Sequence, residues 1–122
     1  NERKSAEVWE DFWKEMTDTE DNQNEEYRHI IRTLILATEK HTPIMIDGKV
    51  DIVVALQEFF LDTDMAVLGK TPWNLYERYA QQIRNEYQHV PLDVYCQKRA
   101  EILQGFLQKE HLYYRPEFRR LL

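Results

Sequence analysis

The sequence predicts an all-α protein, and three observations carry that prediction. Only three Gly and four Pro occur in 122 residues. Glu, Gln, Leu and Arg are plentiful, a composition that favours helix over sheet. Apolar residues recur at intervals of three and four along successive stretches. The prolines fall between those stretches rather than inside them. Hydrophobic residues make up 43% of the chain, enough for a globular fold rather than a disordered one. The length suits one domain, residues 1–122, with a sizeable core.

Each element has its own justification. Ala6, Trp9, Phe12, Trp13 and Met16 keep helical spacing and predict a first helix over about residues 3–17. Asp18 to Glu26 reads as a polar, acidic loop. It is not a calcium loop, because Gln23 sits where that loop needs Gly and the closing Glu is absent. Asn22 or Asn24 is the expected N-cap of a second helix. Its stripe is Tyr27, Ile30, Ile31, Leu34, Ile35 and Thr38, with His41 three positions further on. Pro43 stops it. Ile44 to Val50 contains an Asp-Gly turn signal, and a plain loop is preferred there to a tiny hairpin. Asp51 is the expected cap of a third helix, which runs through Ala55, Leu56, Phe59 and Phe60 to Gly69. Thr71 and Pro72 open a fourth helix as cap and first position. Its stripe starts at Trp73 or Tyr76 and continues through Tyr79, Ala80, Ile83 and Tyr87. Val90-Pro91 breaks it. A fifth helix carries Tyr95, Arg99, Ile102, Leu103, Phe106 and Leu107. Pro116 starts a short sixth.

Composition also excludes function classes. A net charge of −6 argues against nucleic-acid binding, which relies on Lys and Arg neutralising phosphates. It leaves room for a small phosphate ester in a local pocket. Cys96 is the single cysteine, so neither an internal disulfide nor a cysteine zinc site is possible. That fits a reducing compartment, and a cytoplasmic location is expected. No apolar stretch reaches transmembrane length, and the opening Asn1-Glu2-Arg3-Lys4 does not begin a signal peptide. The chain enters a helix at once, which suggests a fragment or a processed chain.

The residue that demands chemistry is Asp64. Phe60 lies four positions before it, Val67 three after and Leu68 four after, all on one helical face. A carboxylate on an apolar stripe needs a compensating cation or metal. Asp62 is less anomalous, since Glu58 is among its helical neighbours. Asp64 is either a ligand of a hard divalent metal or the partner of an internal Arg84 or Arg99. Arg99 repeats the anomaly with opposite sign, among Tyr95, Ile102, Leu103 and Phe106. Both arginines read first as structural, with Glu86 as one partner for Arg99. Their functional reading is as phosphate clamps. His41 reads as a packed or capping histidine before it reads as a ligand. His29, His89 and His111 read as solvent-facing. No nucleophile motif, Gly-rich phosphate loop or His-Glu-x-x-His pattern is present.

Two stretches together resemble a known family. Leu61-Asp62-Thr63-Asp64-Met65-Ala66-Val67-Leu68-Gly69 is followed by Tyr76, Tyr79 and Ile83-Arg84-Asn85-Glu86-Tyr87-Gln88-His89-Val90-Pro91. Arg99, Ile102-Leu103, Phe106-Leu107, Leu112-Tyr113 and Phe118 come after. This resembles the C-terminal two-thirds of the predicted metal-dependent phosphohydrolases of the HD-domain superfamily. Asn1-Glu2 with Ser5-Ala6 resembles the segment after that family's His-Asp motif. Ala37-Thr38 with His41 resembles its Ala-Thr-x-x-His helix end. Lys98 stands where the family usually has Gly.

The resemblance implies an HD-domain-like bundle of five to six helices, incomplete at its N-terminus, around a divalent metal ion. It implies hydrolysis of a small phosphorylated substrate by metal-activated water. Asp64 matches the family's distant aspartate ligand, with Asp62 the lesser candidate and His41 a further ligand or phosphate contact. Arg84, Arg99 and His41 become substrate-side candidates. The family's His and His-Asp ligands fall upstream of Asn1, and this chain contains no His-Asp dipeptide. Little or no metal-dependent turnover is therefore expected of the chain alone. The alternative is a non-catalytic helical interaction module on an HD-like scaffold. Either reading allows self-association through an exposed apolar face.

Overall fold

Helix is the only regular structure among the described residues: Glu2–Met16 (α1), Glu25–Ala37 (α2), Val50–Met65 (α3), Trp73–Glu86 (α4), Leu92–Leu107 (α5) and Pro116–Arg119 (α6). They belong to a computed structural model that describes residues 1–16, 24–46, 50–69 and 72–121. The all-α expectation therefore holds. None of the described helices is long and apolar enough to cross a membrane. The chain divides into two compact units, Asn1–Leu61 and Asp62–Leu122.

In the first unit α1 packs against α2. The contact forms because Ala6 and Trp9 lie on one face of α1, and Thr33 and Ala37 lie four apart on α2. Ala6, Thr33 and Ala37 are buried and Trp9 is half-buried. The Trp9 indole N–H donates to the Arg28 carbonyl at 3.1 Å. Arg28 in turn bridges Glu10 at 2.6 Å and Glu25 at 2.8 Å. Such solvated pairs add little, so apolar burial remains the main cohesive term. The expected stripe of α1 is only partly inward, for Phe12 and Met16 are exposed. In α2 the same holds for Tyr27.

The end of α2 differs from expectation. Thr38 closes the helix, its hydroxyl donating to the Ile35 carbonyl at 2.7 Å. His41 therefore lies beyond the helix, with φ of 49°. That left-handed conformation turns the chain, and His tolerates it better than most residues. Asn24 precedes α2, but its side chain makes no capping bond. Asn22 and the acidic loop lie largely outside the described residues. So do positions 47–49 of the Asp-Gly turn, while residues 43–46 are irregular.

Helix α3 begins at Val50, so Asp51 sits in its first turn rather than capping it. Val53, Gln57, Leu61 and Met65 are buried and recur every four residues along one face. Gln57 is fully buried and clasps one backbone position. Its Oε1 accepts from the Ile44 N–H at 2.6 Å, and its Nε2 donates to the Ile44 carbonyl at 2.9 Å.

In the second unit the chain leaves α3 through a 3-10 turn, Ala66–Leu68. Gly69 ends that turn with φ of −84°, not in the left-handed state expected of a helix-ending glycine. Its reason is space. A Cβ there would lie 2.7 Å from Leu121 Cβ and 3.0 Å from Tyr113 Oη. Pro72 occupies the position before α4 rather than its first turn, and Thr71 lies outside the described residues. Tyr76, Tyr79, Ala80 and Ile83 are half-buried on α4, whereas Trp73 and Tyr87 are exposed. On α5 the inward positions are Tyr95, Arg99, Leu103 and Phe106. Ile102 and Leu107, expected inward, are exposed.

Candidate functional site

The two aspartates of the Leu61–Gly69 run exchange the environments expected of them. Residues two apart on a helix point about 200° apart, so only one of the pair can face inward. That one is Asp62, which is 1% exposed. Its Oδ1 accepts from the Tyr114 N–H at 2.9 Å and its Oδ2 from the Arg115 N–H at 2.7 Å. Asp64 is exposed near the last turn of α3, and Phe60 beside it is exposed as well. The inward stripe assigned to Phe60 and Asp64 is thus the outward one.

The surroundings of Asp62 explain its burial. Charge-assisted bonds to two backbone N–H groups offset the loss of water. Tyr113, also 1% exposed, donates its hydroxyl proton to the Met65 carbonyl at 3.1 Å. Burial, with the nearby Asp62 charge second, pushes the Tyr113 pKa above its ordinary value of 10.0. Arg119 completes the anchor. Its guanidinium donates to the Tyr113 carbonyl at 2.9 Å and to the Tyr114 carbonyl at 2.8 Å. Three side chains thereby fix one irregular segment.

Both candidate arginines are engaged locally. Arg84 closes α4: its Nη1 donates to the carbonyls of Tyr87 at 2.6 Å and Val90 at 3.2 Å. Its guanidinium also stacks on Tyr95, 4.9 Å from the ring centroid. Arg99 meets the Tyr79 hydroxyl at 3.4 Å rather than Glu86, and lies 5.8 Å from the Tyr79 ring centroid. These contacts join α4 to α5 and give each guanidinium a structural task. Asp64, Arg84 and Arg99 belong to the second unit and half-buried His41 to the first. His29, His89 and His111 are exposed.

Among the described residues no cluster of three or more His, Cys, Asp or Glu is placed to hold a metal ion. By themselves they do not fit the divalent ion that the resemblance implies. Gln57 and Tyr113 are buried groups to which sequence reasoning gave no role, and Asp62, read as the less anomalous aspartate and the lesser ligand candidate, is the one that faces inward. For Gln57 a signal existed, since it lies four residues from both Val53 and Leu61. Asp62 had a weaker one in Met65 and Ala66, three and four positions on. Tyr113 had none within its own irregular segment. No protein-family model, no curated protein and no solved structure matches the chain.

Proposed function

We propose that this chain is the helical scaffold of an HD-type, metal-dependent phosphohydrolase acting on a small phosphate ester, and that Asp64 is the ligand it contributes. The observation that carries the choice of Asp64 is the division of labour on α3. Asp62 is buried with both oxygens on backbone N–H groups, whereas Asp64 is presented at the surface. The remaining support is the order of motifs from Leu61 to Phe118. In this reading the His and the His-Asp pair come from residues ahead of Asn1, Arg84 and Arg99 hold the scaffold, and His41 is a lesser candidate.

The test is metal content and phosphate-ester hydrolysis in a protein that joins this chain to those ligands. Asp64→Ala should lose both metal and turnover while keeping its helical content. Full metal occupancy in that variant would sink the role given to Asp64.

A second reading is favoured by one observation. Ile52, Leu56, Phe59 and Phe60 are exposed and share one face of α3 at helical spacing. They suit a non-catalytic interaction module. That reading expects no stoichiometric metal with or without Asp64, so the same metal analysis separates the two.

A further inference from the structure

The second unit contains a groove of about 510 Å³, formed by the C-terminal half of α5, the 3-10 turn and the stretch leading to α6. Its floor is apolar, built from Leu68, Leu103, Phe106 and Leu112, and Lys109 and Arg119 stand on its lip. The size falls in the range of small-molecule pockets, which are mostly apolar with a few placed polar groups.

The lip carries charge complementarity. The chain has a net charge of −6, yet this groove is lined by two cations and His111 against the single acid Glu110. Glu110 is 92% exposed, and Lys109 and Arg119 are exposed too, so water weakens all three charges alike and the balance of the lining stays cationic. Arg119 is held in place by the carbonyls of Tyr113 and Tyr114. Lys109 Nζ lies 5.8 Å from the Phe106 ring centroid, over the floor. A fixed guanidinium lowers the ordering cost of binding; its Nε and Nη2 hold the two carbonyls, which leaves its charge and its remaining N–H groups for an anion.

We propose that this groove binds a small amphipathic anion, a carboxylic acid with a medium-length apolar body. The tail lies over Leu103 and Phe106, and the carboxylate meets Arg119 and Lys109. This site is independent of the phosphohydrolase reading and stands or falls whether or not Asp64 binds metal.

The experiment is a backbone-amide NMR titration of the whole chain with decanoate below its micellar range. Decyltrimethylammonium supplies the same tail with the opposite charge. Saturable shifts should be confined to residues 68–69, 73–76 and 103–121, with decanoate at least about tenfold tighter than the cation. Lys109→Glu should weaken decanoate about fivefold, and Leu103→Glu should abolish the shifts with the other helices unperturbed. Lys109 is exposed and its side chain meets only the Phe106 ring among the described contacts, so its variant remains informative if Leu103→Glu misfolds. Equal affinity for both amphiphiles would overturn the proposal, as would shifts spread over the apolar faces of α1 and α3. So would the absence of saturation.

Discussion

The Asp62 carboxylate receives the backbone N–H of Arg115 at 2.7 Å and that of Tyr114 at 2.9 Å. An acid on α3 therefore holds the segment that leads into α6. Removing it leaves two backbone donors without their acceptor and removes charge-assisted bonds worth about 1.5–3 kcal/mol each. Asp62→Ala should cost the protein about 3 kcal/mol or more. Asp64→Ala, at an exposed position, should cost clearly less than Asp62→Ala. Urea denaturation followed by helical circular dichroism checks the pair, and a larger loss from Asp64→Ala would reverse the assignment.

Tyr113 makes stability sensitive to alkali. Its pKa is raised above 10.0, by burial and then by the Asp62 charge. The folded state keeps a proton that the unfolded state releases. That contribution is complete below the unfolded value and is lost as pH rises through the folded one. Denaturation at about pH 9 and about pH 11 should show a steeper loss for the wild type than for Tyr113→Phe. The variant should also lose about 1 kcal/mol at neutral pH with the bond to the Met65 carbonyl. Parallel losses in the two proteins would remove Tyr113 as the cause.

Gly69 needs room, and its φ of −84° shows that a left-handed turn is not the reason for glycine there. An alanine Cβ would fall 2.7 Å from Leu121 Cβ, an overpacking that costs about 1–3 kcal/mol. Trimming the neighbour should recover part of it. Gly69→Ala combined with Leu121→Ala should be less destabilised than the two single losses summed. Strict additivity in that cycle would rule out the contact as the reason for glycine.

Gln57 reads both polar groups of Ile44, accepting at 2.6 Å and donating at 2.9 Å. Gln57→Leu abandons both and should cost about 2 kcal/mol. Gln57→Glu keeps the acceptor but aims a carboxylate at a carbonyl oxygen. Its penalty should exceed that of Leu at about pH 7 and shrink at about pH 4, where a protonated acid can donate again. A pH-independent penalty would contradict this pairing.

Much of the fold was legible because local signals are strong where they occur. Apolar spacing located the helices, and Pro43, Pro91 and Pro116 marked breaks or starts close to those observed. The inward face of α3 was not legible. Its early turns are apolar on nearly every side (Ile52, Val53, Val54, Ala55, Leu56), so spacing alone does not set the phase. What sets it is Gln57 finding Ile44 and Asp62 finding Tyr114 and Arg115, partners 13, 52 and 53 residues away. Such pairings leave no periodic trace. The arginines illustrate the converse. Arg84 lies at the end of its helix and bonds carbonyls three and six residues on, so its structural reading was available from position alone.

The tie between Asp62 and residues 114 and 115 also bears on folding topology. It joins two stretches some fifty residues apart. Closing so long a loop carries an entropic cost that rises only slowly with its length. Among helices whose own bonds are local, such a tie is a non-local contact, of the kind that slows folding more than it weakens the folded state.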